Sequence, residues 1–546
     1  MKKKLMIIAL AALASAGAKA QTVYDAVNIA QKDLNGTARF VGMGGAMGAL
    51  GGDISTISTN PAGIGIYRSN DAMVTMGYSI TGSESKFGGN TFEANKNRWS
   101  FDNAGFVIST KIGNLTPLRY VNFGFNYHKS KSFYKNMTMG GLLGKVGSDY
   151  VSQVASMAMQ ATDGAYAYYQ DYSSYLDYGK SDIYRNDYAG WLGSMGFQSG
   201  LLFEDTETEA YNTYIPYIPN IPSEADALFL SRERGGVDEY DFNVSFNVND
   251  RFYFGVTLGA YAVDYSKYSF YDENYQYTWE DGKQYEEGYS LESFNRIHGA
   301  GIDLKLGAIF RPIEDSPLRV GLAIHSPVYY KLTYTTGALL SSDLFLPAED
   351  GSEVMTHTTV DTYSELGGRD MDRDFELQTP WLFNVSLGYT VGSSLALGAE
   401  YEYEDYSSMK FYYPGSSEEM AWETGEADLC LKGVSTFRLG AEYKPIPAFA
   451  LRLGYNYSSA AFKDDAIKAL PTNSINTDTD FANNESMNTF TIGIGYRGSR
   501  VYADLAYKYH TYQSKFYPFV DDLGALQATK VTNDRSQALL TLGIRF

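Results

Sequence analysis

The chain has 546 residues, a formal charge of −20, a single cysteine, 47 tyrosines and 5 tryptophans. The negative balance argues against nucleic acid and anionic lipid as partners. The lone thiol, Cys430, excludes an internal disulfide and a cysteine metal cage. Length alone admits several soluble domains or one large barrel, and abundant tyrosine suits a surface that is half apolar and half wet.

The first predicted element is a signal peptide, residues 1–20. Lys2, Lys3 and Lys4 precede an apolar run from Leu5 to Gly17, and Ala18 and Ala20 frame a cleavage site before Gln21. No later apolar run is long enough for a spanning helix, which leaves a soluble extracytoplasmic protein or a β-barrel.

Residues 21–70 lack sustained alternation. "TVYDAVNIAQKDLNG" reads as a short helix with Val23, Ala26, Val27 and Ala30 on one face and Gly36 ending it. The following "TARFVGMGGAMGALGG" is small and polar-poor, suited to close packing against other backbone. In "NPAG", Pro61 biases Asn60 toward extended geometry. "GMGGAMG" is no dinucleotide loop, since Met47 stands where the third glycine is needed and no strand precedes it.

From residue 71 onward the period is two. Alternating segments fall at 71–81, 98–112, 118–130, 238–248, 251–265, 297–311, 317–335, 377–391, 393–408, 432–444, 448–460, 486–498, 500–513 and 535–546. Short connections such as "ND", "GSS" and "KPIPA" alternate with long ones, the pattern of an outer-membrane barrel with short periplasmic turns. The predicted fold is therefore all-β: a 14-stranded antiparallel transmembrane β-barrel over 71–546, with an N-terminal plug over 21–70 inside the lumen. One parity faces lipid; the other sends Asp241, Asp303, Lys305, Arg319, His325, Glu400, Glu402, Arg438, Glu442, Arg452, Asp504, Lys508 and Arg545 into the bore. Fourteen strands enclose more space than side chains alone can fill, so channel or inserted chain must occupy it.

The longest loop, about 131–236, is the expected outer vestibule. Val151, Val154, Ala155 and Ala158 fall at helical spacing, as do Tyr184, Tyr188, Trp191 and Met195. The second set is a candidate ligand groove; the alternative is that the two apolar faces pack on each other. No Gly-x-Ser-x-Gly, His-Glu-x-x-His or Walker pattern occurs, and His128, His298, His325, His357 and His510 are scattered, so neither an enzyme nor a metal or haem cofactor is expected.

The stretch "GTARFVGMGGAMGALGGDISTISTNPAGIGIY", followed by fourteen strands ending in Phe546, resembles the FadL/TodX family of outer-membrane transporters for hydrophobic compounds, and more narrowly its Bacteroidetes versions. Asp53, Ser55, Asn60, Pro61 and Ala62 match the family's hatch motif. The resemblance implies diffusive uptake of a hydrophobic or lipid ligand, such as a long-chain fatty acid or an aromatic hydrocarbon, with lateral exit into the bilayer at an inward kink of the third strand. Here that strand reads unbroken from Val121 to Tyr127, with Gly124 the only weak point. It also implies that Phe546 is read by the barrel-assembly machinery, and that the partners are outer-membrane lipid and lipopolysaccharide. A monomer is expected. Some relatives instead serve the type IX secretion system as cargo-binding shuttle or attachment barrels, which is the alternative function.

Overall fold

The structure is a computed structural model, and it describes residues 20–546 apart from 147–148, 169–182, 186–188, 206–212, 217–224, 279–281, 283, 348–351 and 522–523. The predicted signal peptide lies outside them except for its last residue, Ala20.

Fourteen antiparallel strands close on themselves. They are β1 (Asp71–Phe87), β2 (Asn90–Lys111), β3 (Leu118–Ser132, continued by Lys135–Leu142), β4 (Asp226–Val248), β5 (Phe252–Thr278), β6 (Gln284–Phe310) and β7 (Arg319–His325, continued by Tyr329–Pro347). Then follow β8 (Met371–Gln378, continued by Leu382–Val391), β9 (Leu395–Asp405, continued by Lys410–Tyr412), β10 (Gly433–Ile446), β11 (Phe449–Ser458), β12 (Phe481–Arg497), β13 (Val501–Tyr517) and β14 (Thr529–Arg545). Closure pairs β1 with β14 from Asp71↔Arg545 to Lys86↔Lys530. Asn70 and Phe546 exchange backbone hydrogen bonds at 3.1 and 3.2 Å, so the last residue completes the ring. Closure leaves no free sheet edge except where a strand departs from its neighbour, which is what makes a spanning sheet tolerable in lipid.

The outward parity is apolar all round. Ile302, Leu322, Val385, Leu439, Leu453 and Ile494 lie between 46 and 64 % exposed. A continuous apolar surface of this kind belongs against hydrocarbon, not water. Aromatic pairs flank the band at both ends: Phe449 with Tyr496 toward the short turns, Tyr127 with Tyr240 toward the long loops, each with ring centroids 5.4 Å apart. This is the exterior of an outer-membrane barrel, with the short turns at one end and the long loops at the other.

The strands run well beyond the alternating segments at the long-loop end, so a tall collar stands above the band. The loop between β3 and β4 folds over it as a cap built on α3 (Gln153–Tyr168) and α4 (Trp191–Gln198), the helices α1 and α2 belonging to the plug. Prolines break two adjacent strands at one level. β7 bends at Pro327 and β8 at Pro380, and Val328 N donates to Thr379 Oγ1 at 2.8 Å where the ladder is interrupted.

The plug threads the bore from end to end. α1 (Val23–Ala30) is capped by Thr22, whose backbone N donates to Asp25 at 2.8 Å. It stands at the outer end, with Tyr24 stacked on Phe462 at 4.6 Å and hydrogen-bonded to Asn483 at 2.9 Å. The helix ends at Gln31, not Gly36, because residues 33–35 turn aside to bond the barrel wall. α2 (Ala38–Gly42) and two 3₁₀ turns, Ile54–Ser58 and Pro61–Ile66, then fill the lower bore.

Candidate functional site: plug, lateral gap and cavity

The hatch motif residues hold the plug together and seat it on the wall. Thr37 caps α2 and donates from Oγ1 to Asp53 at 2.8 Å; Asp53 also accepts from Ser55 N at 3.0 Å, and Ser55 Oγ accepts from Thr37 N at 2.8 Å. Asp53 and Ser55 thus staple the plug's two halves. Asn60 accepts from Ala62 N at 3.2 Å and donates to the Ala308 carbonyl of β6 at 3.3 Å. The Pro61 carbonyl accepts from Ser245 Oγ on β4 at 2.8 Å.

A glycine belt on the wall makes this approach possible. Gly388, Gly398, Gly440 and Gly454 are direct register partners across β8–β11. A Cβ on Gly398 would stand 2.0 Å from the Ala46 carbonyl, on Gly440 2.3 Å from that of Met43, and on Gly454 2.1 Å from Gly44 N. Gly255 and Gly307 play the same part beneath Pro61 and Asn60. Backbone lies on backbone, which only glycine allows. These wall glycines are functional residues that the strand parities alone do not reveal. Glycine recurring inside strands, as in "RLGAEY" and "RLGYNY", is the signal that marks them.

Every inward charge anticipated from parity faces the bore or its rim, and most are paired. Lys305, fully buried, bonds Asp241 at 2.6 Å and also Glu239. His128, Glu239 and Asp241 could converge on a cation, and the Lys305 ammonium fills that role. Arg438 bridges Glu400 and Glu402 at 2.6 and 2.8 Å; Arg452 pairs with Glu442 and Asp504, both at 2.7 Å. Arg39 of the plug joins Glu442 at 2.9 Å. Removing one member of such a buried set leaves uncompensated charge. Lys305→Ala is therefore expected to lower unfolding stability by about 3–5 kcal/mol in urea titration. The triple change that also neutralises Glu239 and Asp241 should recover most of that loss.

The third strand leaves its neighbour. β2 pairs with β3 from Lys111↔Tyr120 only as far as Asn103↔His128, whereas its pairing with β1 continues to Asn90. Beyond His128, β3 pairs with β4 alone among the described residues. Its outer continuation swings into the bore, where Ser83 Oγ of β1 donates to the Asn136 carbonyl at 2.7 Å and Asn90 to that of Gly140 at 3.2 Å. The Arg98 guanidinium covers the Tyr134 ring at 3.8 Å. The break lies at residues 129–134 and not at Gly124, which is regularly paired with Val107 and Asn243. Among the described residues, the outer half of β2 has no ladder partner on that side, only side-chain bonds such as Asn136 Nδ2 to the Asn95 carbonyl at 3.2 Å.

Behind this gap lies a cavity of about 270 Å³ between plug and cap. The bend itself lines it, with Lys131, Phe133 and Tyr134, as do Tyr24 and Leu34 of the plug and Tyr265, Phe462 and Phe481 of the collar. Its lining mixes rings with charged groups, Lys508 and Arg535 among them. Burial alone would raise the pKa of Asp33, but Lys131, Arg535 and Lys508 outweigh it and hold the carboxyl well below the usual range.

The candidate groove of the cap does not reach this cavity. Tyr184, Trp191 and Met195 are buried; Trp191 packs edge-on against Tyr184 at 5.7 Å within the cap's own apolar cluster, and Tyr188 lies outside the described residues. The helices pack on each other: on α3, Val154, Met157, Ala158 and Ala161 are buried, whereas Ala155 faces out.

No known family model matches the chain, and no curated protein matches it. Solved structures do. A Pseudomonas aeruginosa FadL homologue is 13 % identical, with 94 % of this chain and 99 % of that chain covered and a TM-score of 0.47. The Ralstonia pickettii toluene transporter TbuX is 14 % identical, over 94 % of this chain and 99 % of that one, at 0.41. The Pseudomonas putida toluene transporter TodX is 10 % identical, over 95 % and 100 %, at 0.44. Along almost its whole length, the chain is similar to FadL-type and TodX-type outer-membrane barrels.

Proposed function

We propose that this barrel takes hydrophobic molecules, long-chain fatty acids or aromatic hydrocarbons among them, from the outside of the cell by diffusion, and releases them sideways into the outer membrane between β2 and β3. The observation that carries the reading is the parting of those strands at Asn103 and His128 beside a cavity lined by both rings and charged groups, in a bore otherwise stoppered by the plug. A lateral exit spares an apolar ligand from crossing water, which costs about 0.8 kcal/mol for each CH₂ exposed. The route needs no energy input, since transfer from water to hydrocarbon runs downhill.

The test is uptake of radiolabelled laurate, oleate and toluene by cells with and without the gene. At least one probe should enter several-fold faster when the gene is present. Equal uptake of all three would refute the reading. In that case, pull-down of secreted cargo proteins on the purified barrel would test the secretion alternative.

A further inference from the structure

At the fork where β2 and β3 part, carboxylates gather round a histidine. His128, the last residue of β3 to pair with β2, stands in register with Glu239 of β4, and Asp241 lies two residues along that strand, opposite Asn126. His128 Nε2 is 3.4 Å from Glu239 Oε2, and Nδ1 is 3.9 Å from Asp241 Oδ2. One ligand atom from each of the three residues lies within 4.8 Å of the other two. Asn126, whose amide is held by Asn103 at 2.7 Å, sits 3.4 Å from His128 Nδ1 and fixes the plane of the ring. Asp303 of β6 is a third acid on the far side of Lys305.

Lys305 answers only part of this charge. Its ammonium bonds Glu239 Oε1 and, at 2.6 Å, Asp241 Oδ1, and it stands 3.9 Å from Asp303. The oxygens turned to the histidine, Glu239 Oε2 and Asp241 Oδ2, have no hydrogen-bond partner among the described residues, although neither side chain has any exposed surface. Asp303 Oδ1 is in the same condition. Lys305 is the one lysine or arginine among the described residues that forms ion pairs with these acids. Three ionised carboxylates against one ammonium leave negative charge in excess, and buried charge without a partner is costly.

We propose that His128, Glu239 and Asp241 bind a divalent first-row transition metal, zinc foremost, on the carboxylate oxygens that Lys305 leaves open. One imidazole with two carboxylates suits zinc, whereas magnesium and calcium take shells of oxygen with more ligands. Zinc bonds of about 2.1 Å set tetrahedral ligands about 3.4 Å apart, so small side-chain rotations close the set on the ion. His128 lines the cavity, which gives the metal its way in. Bound there, it ties β3 to β4 at the residue where β3 loses its other neighbour. The site stands independently of what the barrel transports and where that ligand leaves.

The experiment uses the purified full chain in detergent, stripped with a chelator and titrated with zinc chloride against a chelating dye. One zinc should bind per chain and raise the melting temperature, and magnesium or calcium at equal concentration should leave it unmoved. His128→Gln and Asp241→Asn should each weaken zinc about tenfold or more. Lys305→Met should bind zinc about tenfold more tightly, since the competing ammonium is gone, and zinc should restore much of the stability that this variant loses. X-ray absorption should find an imidazole in the zinc shell of the wild type and none in His128→Gln. Absence of stoichiometric zinc binding, binding unchanged in His128→Gln, or a zinc shell without imidazole would overturn the inference. Loss of binding in His357→Gln, the exposed histidine 2.9 Å from Asp343, would do the same by placing the metal on the surface. If His128→Gln does not assemble, the wild-type absorption spectrum and the response of Lys305→Met to zinc decide.

Discussion

Deleting residues 21–66 is expected to turn a stoppered barrel into an open pore, with steady single-channel conductance in planar bilayers where the full chain gives none. The plug is inserted chain that fills a bore too wide for fourteen strands' own side chains. It is fixed mainly by contacts to the wall: Ala38 N to Thr541 Oγ1 at 2.8 Å, Arg319 to the Leu50 carbonyl at 2.8 Å, Asn122 to the Ile64 carbonyl at 2.7 Å, and Glu400 accepting from Gly48 N at 3.0 Å. The ladder itself runs strand to strand without the plug. The truncated barrel should therefore still assemble and keep its resistance to unfolding in cold dodecyl sulfate. Its Glu442 and Glu400 sites, stripped of plug partners, should be hydrated and cation-selective. Unchanged conductance after deletion would contradict the plug's role.

The second large effect is expected at the glycine belt. Gly440→Val places branched carbon where the Met43 carbonyl lies, and Gly454→Val where Gly44 N lies. Gly44 itself has φ of 63° and cannot easily retreat into another residue's conformation. Each change should cost about 1–3 kcal/mol of overpacking, borne mostly by the plug–wall contact. The pair together should dislodge residues 42–48. The readouts are bursts of ion conductance and new sensitivity of whole cells to large antibiotics, with barrel content by circular dichroism unchanged. Valine at Gly392, in an open turn with nothing within 4 Å of its Cβ position but φ of 55°, serves as a control that strains backbone without touching the plug. Conductance equal to wild type in the double variant would show that the plug is not seated on this belt.

Much of the architecture was legible because a barrel strand between lipid and bore must alternate, and thirteen connections could be sorted into short and long. The inward charges followed from parity alone. Three features escaped for physical reasons. The bend of β3 is set by partners remote in sequence, Asp33 and Asn35 on one side and Ser83 and Asn90 on the other, so no local breaker such as Gly124 marks it. The premature end of α1 has the same origin, since the residues after Gln31 find better hydrogen bonds on the wall than in a further helical turn. The apolar faces of the cap helices were visible, but periodicity cannot say whether such a face meets a ligand or another helix, and here Trp191 and Met195 met their own cap. The breaks in β7 and β8, by contrast, stand at Pro327 and Pro380, where the sequence itself withholds the backbone donor.

The account turns on whether ligand leaves between β2 and β3. Trp99 and Phe101 face outward on β2 beside the parting, and Lys129 is the first residue of β3 beyond its last pair with β2. Cysteines at Trp99 and Lys129, joined by a short bismaleimide in the purified barrel, tether the gap while leaving plug, cavity and cap untouched. Proteoliposomes carrying the tethered protein should lose uptake of labelled laurate to the level of empty vesicles, whereas either single cysteine treated alike should retain it. Full uptake through the tethered barrel would place the exit elsewhere and contradict the account.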